Sequence, residues 1–230
     1  MNSLLELEAV EAGYGPFRAL FGVTLQVGTG RAVALLGANG AGKTTVARVC
    51  TGLVVPTGGS VRFDGVEFSG RKAFEFARAG IVHAVEVRSV FATLTVEENL
   101  MLALARSRRS AELAAVVDEA YELFPRLGER REQVAGTLSG GEQRMLSLAR
   151  VLVDRPRLLV ADELSLGLAP IVVDEVYQTL DRIRSAGTTL LIIEQHVSHA
   201  LAIADEAVIL EKGAVAYSGP ASEARAHVGV

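Results

Sequence analysis

Apolar residues recur in short runs near the N-terminus of the chain, and glycine-rich turns separate these runs. Residues 5–10 and 23–27 show the pattern of short strands, and residues 60–66 predict another strand that ends in an Asp-Gly turn. A short helix over residues 71–79 and a strand over residues 80–85 are predicted to follow. The pattern therefore predicts an antiparallel β layer near the N-terminus.

The middle of the chain, from about residue 95 to residue 153, has the pattern of helices almost throughout. Thr95 begins an N-cap signature that opens a helix through Leu104, and residues 111–123 predict a second helix. A third helix is predicted to open at Ser139. This stretch is therefore interpreted as a helical insertion.

Continuous apolar runs suit strands that are buried on both faces of a parallel sheet, and they cover residues 32–36, 158–161 and 190–193. A helix over about residues 170–185 lies between the last two runs, and residues 208–217 predict a closing hairpin. The fold class predicted from these elements is α/β, with a mostly parallel core sheet, an N-terminal antiparallel β layer and a helical insertion.

These elements predict a single domain over residues 1–230, with a core and β layer formed by about 1–85 and 156–230 and a helical subdomain formed by about 86–155. Half of the residues are apolar, which is ample for a large core. No apolar run approaches the roughly 18–20 residues of a membrane span. The first residues also lack the basic region and apolar stretch of a secretory signal.

Charge, cysteine and histidine usage narrow the function classes. The net charge of −4 argues against a nucleic-acid partner. Cys50 is the one cysteine, so no internal disulfide forms; its place in an apolar helix predicts core packing and fits a reducing cytoplasm. His83, His199 and His227 show no metal-ligand spacing and are interpreted as structural or solvent-exposed.

The segment from Gly37 to Thr44 reads GANGAGKT and fits the phosphate-binding pattern G-x-x-x-x-G-K-[ST]. A predicted strand precedes it and a predicted helix follows it. This context favours a phosphate-binding loop over a glycine-rich turn that carries a lysine by chance. Such a loop aims backbone N–H groups and a helix N-terminus at phosphate oxygens. Lys43 is predicted to reach the β- and γ-phosphates of a nucleotide, and the Thr44 hydroxyl to hold Mg²⁺. The predicted phosphate-binding residues are Gly37, Ala38, Asn39, Gly40, Ala41, Gly42, Lys43, Thr44 and Thr45.

An apolar strand that ends in two carboxylates, RLLVADE, covers residues 157–163. The carboxyl end of a buried strand lies at the ligand crevice of an α/β sheet. There Asp162 can hold Mg²⁺, directly or through water, and Glu163 can polarise an attacking water. A strand ending in Asp-Glu is common by itself, but the phosphate loop upstream favours the functional interpretation.

The sequence LSGGEQ contains Ser139, Gly140, Gly141 and Glu142. Ser139 and Glu142 have the spacing of a capping box, and the two glycines let a phosphate approach that helix end. By itself the string could be no more than a well-capped helix. Because it lies between a phosphate loop and an Asp-Glu strand, it resembles the signature of ATP-binding cassette (ABC) ATPases, and the resemblance covers nearly all of the chain.

The resemblance implies a P-loop ABC fold, ATP hydrolysis coupled to transport, and a head-to-tail dimer with a second cassette. In that dimer the helix start from Ser139 to Glu142 meets the nucleotide of the opposite subunit. The γ-phosphate of that nucleotide is contacted by Ser139, Gly140 and Gly141. Tyr14 matches the aromatic residue that stacks on adenine, although a tyrosine beside glycines also suits an edge strand.

Four further segments narrow the resemblance, and they read VEVRSVF, LTVEENL, LSLGLAP and EQH. Together they resemble the shorter ATP-binding subunit of branched-chain amino acid uptake transporters, and related subunits serve urea and other small amides. The resemblance implies transmembrane permease subunits as partners and a place at the cytoplasmic face of the membrane. Phe91 and Leu94 are predicted either to meet the permease or to pack inside their own domain. The alternatives are an ABC ATPase of lipid or lipopolysaccharide export and a soluble non-transport ABC ATPase.

Some positions depart from the pattern of the superfamily. Glu86 stands where most members carry glutamine, and it is a candidate contact of Mg²⁺ or its water. The γ-phosphate contact falls on Gln195, with His196 as the alternative one residue later. A glutamine amide can donate that hydrogen bond without titrating. Leu164 replaces the proline that is usual after the catalytic glutamate.

Overall fold

The computed structural model describes residues 3–84, 90–104, 113–153, 156–195 and 197–227. The chain forms two compact units. The first comprises Met1–His83, Arg157–Glu163 and Leu180–Val230, and the second comprises Ala84–Pro156 and Leu164–Thr179. Segments far apart in sequence therefore build the first unit, which contains the phosphate loop and the strand that ends in Asp162.

A four-stranded sheet in the first unit confirms the predicted antiparallel layer. Its strands are β1 (Ser3–Tyr14), β2 (Phe17–Gly28), β4 (Gly58–Phe63) and β5 (Val66–Glu67), in the order β2-β1-β4-β5. β1 pairs antiparallel with β2 and with β4. Leu5 and Leu7 are buried while Glu8 is exposed, as the alternating pattern requires of a sheet with one face on the core.

A six-stranded sheet forms the core of the same unit. Its strands are β3 (Ala32–Gly37), β6 (Ile81–Ala84), β7 (Leu158–Asp162), β8 (Thr189–Glu194), β9 (Glu206–Glu211) and β10 (Ala214–Pro220), in the order β10-β9-β3-β8-β7-β6. β3 runs parallel to β8 and β9, β7 runs parallel to β8, and β10 closes an antiparallel hairpin with β9. This arrangement confirms a mostly parallel core sheet. Parallel pairing brings the carboxyl ends of β3, β7 and β8 to one edge.

Helices cover this core and complete the first unit. They are α1 (Lys43–Cys50), α2 (Ala73–Arg78), α8 (Val197–Ile203), α9 (Ala221–Ala224) and the end of α7 (Pro170–Ser185). The buried face of α1 includes Val46, Val49 and Cys50, which join the same hydrophobic cluster as Leu35 of β3 and Val160 of β7. Burying each such aliphatic side chain stabilises the fold by about 1.5–3 kcal/mol, so α1 is held firmly behind the phosphate loop.

The second unit is mainly helical. It contains α3 (Val96–Leu104), α4 (Leu113–Leu123), α5 (Pro125–Gly128), α6 (Gly140–Val153) and the first part of α7. The predicted capping box of α3 forms, because the Glu98 N–H donates to Thr95 Oγ1 across 3.1 Å and the Thr95 N–H donates to Glu98 Oε2 across 2.8 Å.

The expectation of nearly continuous helix over residues 95–153 is wrong between α5 and α6. Residues 129–139 form turns and a short 3-10 segment, Ala135–Thr137, and Thr95 forms a β-bridge with Val134. The backbone N–H of Val96 donates to the carbonyl of Gln133, and the backbone N–H of Ala135 donates to the carbonyl of Leu94. These hydrogen bonds across the sequence replace the helical i to i−4 bonds that local propensity favours.

Candidate nucleotide site

The phosphate loop links the end of β3 to the start of α1. Gly37 has φ 150° and Gly42 has φ 106°, both in the region that favours glycine. A Cβ atom on Gly37 would lie 2.5 Å from the Leu210 carbonyl oxygen, and one on Gly42 would lie 2.8 Å from Leu20 Cδ2. The loop therefore requires glycine at both positions for its backbone angles and for its packing.

The side chains of the loop differ in their exposure to solvent. Lys43 is only 4% exposed, and its Nζ donates hydrogen bonds to the carbonyl oxygens of Gly37 at 2.8 Å and Ala38 at 3.1 Å. Asn39 and Thr44 are exposed, whereas Thr45 is buried. The Thr44 hydroxyl is thus accessible to a cation, and the Lys43 ammonium is held at the loop by its own carbonyl groups.

Burial and nearby carboxylates act in opposite directions on Lys43. Desolvation lowers the pKa of Lys43, and the carboxylates of Glu163, Asp162 and Glu194 partly oppose that change. The Lys43 Nζ lies 3.9 Å from Glu163 Oε1. The cation of the phosphate loop and the carboxylates after β7 and β8 therefore share one electrostatic environment.

The end of β7 brings Asp162 and Glu163 to this environment in different conformations. Asp162 is buried, and its Oδ1 has no hydrogen-bond partner among the residues that the structure describes. A buried carboxylate oxygen of this kind fits a role as ligand of Mg²⁺ or its water. Glu163 has φ 50°, which costs a residue other than glycine about 1–3 kcal/mol. Its N–H donates to the Ile193 carbonyl at 2.9 Å, and this bond helps to hold the unusual backbone angle.

Gln195 directly follows β8 and contacts the same glutamate. Its Nε2 donates a hydrogen bond to Glu163 Oε1 across 3.1 Å. Gln195 also borders a cavity of about 660 Å³ that touches the phosphate loop, together with residues 37–41, 197, 209–212 and 227. The predicted contacts Glu86 and His196 lie outside the described residues.

Tyr14 ends β1 and is 42% exposed. Arg48 of α1 donates from Nη1 to the Tyr14 hydroxyl at 3.1 Å, and its guanidinium carbon lies 5.7 Å from the ring centroid. These contacts orient the ring while part of it stays accessible, which suits the stacking role predicted for Tyr14.

The predicted signature residues open α6 in the second unit. The Ser139 N–H donates to Glu142 Oε2 at 2.9 Å, and the Glu142 N–H donates to Ser139 Oγ at 3.3 Å. These bonds from Ser139 hold the pKa of Glu142 below its ordinary value. The Glu142 carboxylate also lies 3.2 Å from the Arg130 guanidinium. Ser139 and Gly140 are exposed, so a phosphate can approach the start of α6 from solvent.

Sequence reasoning missed one residue at this site, because it treated His83 as structural or solvent-exposed. His83 lies on β6, next to β7 in the sheet, and its Nε2 lies 3.4 Å from Asp162 Oδ2. The available signal was a polar residue near the carboxyl end of a core strand. The sequence does not indicate that this strand neighbours β7.

Known proteins of similar sequence are ATP-binding proteins, which agrees with the geometry of the candidate site. A family model described as ABC transporter matches residues 20–165. The high-affinity branched-chain amino acid transport ATP-binding protein BraG of Pseudomonas aeruginosa is 41% identical over 92% of this chain and 91% of its own length. The probable branched-chain amino acid transport ATP-binding protein LivF of Archaeoglobus fulgidus is 34% identical over 97% of this chain and 95% of its own.

Solved structures agree in fold. The structure of an ATP-binding subunit of an ABC transporter superposes with a TM-score of 0.85 at 28% identity, covering 97% of this chain and 92% of that one. Within the described part of the chain, no helix has both the length and the apolar character to cross a membrane.

Proposed function

The chain belongs to the ABC transporter family, and we propose that it is the ATP-hydrolysing subunit that powers an importer of branched-chain amino acids. Family membership makes it an ATP-binding subunit of a transporter. The observation that supports the proposal most is the cluster of Lys43, Glu163 and Gln195. It places a cation that can bind phosphate beside a carboxylate that can accept a proton from water. The substrate class rests on BraG and LivF, whose names specify branched-chain amino acid transport.

In the proposed reaction, the loop N–H groups and the Lys43 ammonium hold the β- and γ-phosphates of ATP, and Tyr14 stacks on adenine. Glu163 accepts a proton from water as the water oxygen attacks the γ-phosphorus and ADP leaves. Because Gln195 occupies Glu163 Oε1, Oε2 is left for the water. Thr44 and Asp162, with Glu86 as a further candidate, would hold Mg²⁺, which neutralises charge on the phosphate oxygens.

The complete site is proposed to need a second cassette in a head-to-tail dimer. Ser139, Gly140 and Gly141 would contact the γ-phosphate of the opposite subunit, because they stand at a helix start where Ser139 and Gly140 are exposed and two residues lack side chains. We further propose that residues 1–230 act as one nucleotide-binding domain, whose helical part docks on permease subunits at the cytoplasmic face of the membrane.

Transport in proteoliposomes tests the proposal. The chain is reconstituted with the permease and binding-protein subunits of its own transporter, and uptake of labelled leucine is measured with and without Mg-ATP. We expect ATP-dependent leucine uptake, and a matched complex with Glu163→Gln should lose it. If only urea were taken up, the solute would be urea and not a branched-chain amino acid. If ATP hydrolysis were stimulated only by lipopolysaccharide and its exporter, the chain would serve export and not import.

A further inference from the structure

The contact between His83 and Asp162 lies in the interior of the first unit. β6 and β7 are neighbours in the core sheet, and they place His83 and Asp162 side by side. The exposed fractions of the two side chains are 9% and 8%, and the distance from Nε2 to Oδ2 is 3.4 Å. This distance is longer than the roughly 2.7–3.2 Å of an ordinary N–H···O bond. Hydrogen bonds in catalytic sites are often long without substrate and shorten in the complex.

The chemistry of the two groups determines the direction of this hydrogen bond. In the tautomer that carries the hydrogen on Nε2, His83 donates to Asp162 Oδ2, because a carboxylate oxygen without a hydrogen only accepts. His83 Nδ1 and Asp162 Oδ1 are both buried, and neither has a hydrogen-bond partner among the described residues. The imidazole is therefore tied through one nitrogen, and the carboxylate keeps one oxygen for another ligand.

We propose that His83 is a positioning residue, which orients the Asp162 carboxylate so that Oδ1 is available to the divalent cation of bound nucleotide. The proposal rests on the proposed function, because it assigns His83 a role at that same site. The χ2 torsion of aspartate has a broad energy profile, so the carboxylate needs a neighbour to hold it. Partners of this kind behind a metal-binding carboxylate typically change metal affinity about 10–100-fold when they are removed.

A purely structural histidine would act through volume alone. Burying a polar nitrogen next to a carboxylate without a bond costs about 1–3 kcal/mol, so a residue selected for packing at this place would be apolar. The adjacent buried residues of β6, Ile81 and Ala84, are apolar. His83 differs from them in having a donor directed at Asp162, and this donor is what the experiment isolates.

Substitutions that keep or remove the donor separate positioning from packing. His83→Gln places an amide nitrogen near the position of Nε2, His83→Asn is one bond shorter and does not reach Asp162, and His83→Leu keeps volume without a donor. Binding of Mn²⁺ to the complex of the full chain with ADP is measured by electron paramagnetic resonance. Binding of ADP without metal and thermal unfolding are measured on the same proteins.

We expect His83→Leu and His83→Asn to weaken Mn²⁺ binding by about 10-fold or more, and His83→Gln to restore it to within about 3-fold of the unsubstituted chain. Metal-free ADP binding should be equal in all four proteins, because Lys43 and the phosphate loop are unchanged. The pair His83→Gln and His83→Asn tests the donor even if His83→Leu does not fold.

Equal Mn²⁺ affinity in all variants would overturn the positioning role, and so would equal loss in His83→Gln and His83→Asn together with a lower unfolding temperature. Either result leaves the proposed function in place, because the unsubstituted chain still binds and hydrolyses nucleotide. Failure of the unsubstituted chain to bind ADP would instead refute the proposed function.

Discussion

Gln195 donates its side-chain amide to Glu163 Oε1 across 3.1 Å, which joins the residue after β8 to the residue after β7. The same carboxylate oxygen lies 3.9 Å from the Lys43 ammonium. One oxygen of the proposed base thus accepts a hydrogen bond from an amide and lies near a lysine ammonium. Because an amide does not titrate near neutral pH, its hydrogen bond should keep the Glu163 side chain oriented across that range.

Replacing Glu163 by glutamine keeps its shape and removes the proton acceptor. We expect Glu163→Gln to lower kcat by about 10²-fold or more while ATP still binds, because the phosphate contacts do not involve this side chain. Steady-state hydrolysis and sedimentation with Mg-ATP check both results, and the trapped protein should sediment as a dimer. Hydrolysis at the rate of the unsubstituted chain would transfer the role of base to another group, with Glu86 as the next candidate.

Removing the amide of Gln195 should leave the Glu163 side chain without the hydrogen bond that orients it. We expect Gln195→Ala to lower kcat by about 10-fold or more, and His196→Ala, as the neighbouring control, to lower it less. The rate should also lack a step near the ordinary histidine pKa of about 6.5, because an amide does not titrate. A larger loss in His196→Ala, or a step that disappears with it, would make His196 the γ-phosphate contact.

Lys43 is the buried cation of the phosphate loop. We expect Lys43→Ala to lower kcat by about 10²-fold or more and to weaken ATP binding, because the charge that develops on the γ-phosphate loses its fixed cation. Lys72→Ala removes an exposed lysine and serves as the matched control. Circular dichroism should show intact folds in both variants. Substantial turnover by a folded Lys43→Ala protein would contradict the assignment.

Phe91 is the better candidate for permease docking of the two residues predicted from sequence. It is 42% exposed, whereas Leu94 is half-buried. The Phe91 backbone is held from both sides by Asn99, whose Oδ1 accepts from its N–H at 2.8 Å and whose Nδ2 donates to its carbonyl at 3.0 Å. The guanidinium carbon of Arg150 lies 4.8 Å from the ring centroid. A changed side chain at position 91 should therefore leave the local backbone in place.

We expect Phe91→Asp to abolish co-purification with the permease subunits and to spare basal ATP hydrolysis, because it introduces charge into an apolar contact. Phe21→Asp is the matched control, since Phe21 is 50% exposed and also lies beside an arginine, with Arg18 5.3 Å from its ring centroid. Pull-down assays and ATPase rates check this expectation. Loss of both properties in Phe91→Asp would show that the ring belongs to the core of its own unit.

Cys50 should be chemically inert in the folded protein. Complete burial raises the pKa of the Cys50 thiol to about 12. Only about one thiol in 10⁴ is ionised at pH 8 with such a pKa, and the thiolate is the reactive form. We expect no reaction with a thiol-specific disulfide reagent under native conditions and one equivalent in denaturant. Rapid labelling of the native protein would contradict the packing of α1.

The local motifs were predictable because neighbouring residues are enough to form them. The phosphate loop needs glycines at Gly37 and Gly42 and a helix after them, and the capping boxes at Thr95 and Ser139 depend on residues three positions apart. Residues 129–139 were not predictable in the same way. Their hydrogen bonds run to the start of α3, so contacts distant in sequence override local helix propensity.

By itself, the sequence determined the family, the mostly parallel core sheet and the identity of the candidate residues, because short-range spacing encodes strands, turns and caps. Tertiary structure alone decided which residues meet, and it placed His83, which the sequence did not single out, beside one of the candidates. Gln195 reaches Glu163 from 32 positions away, and His83 reaches Asp162 from 79 positions away. Both contacts depend on the order β8-β7-β6, which is set by how the apolar strands pack and pair and not by any local pattern.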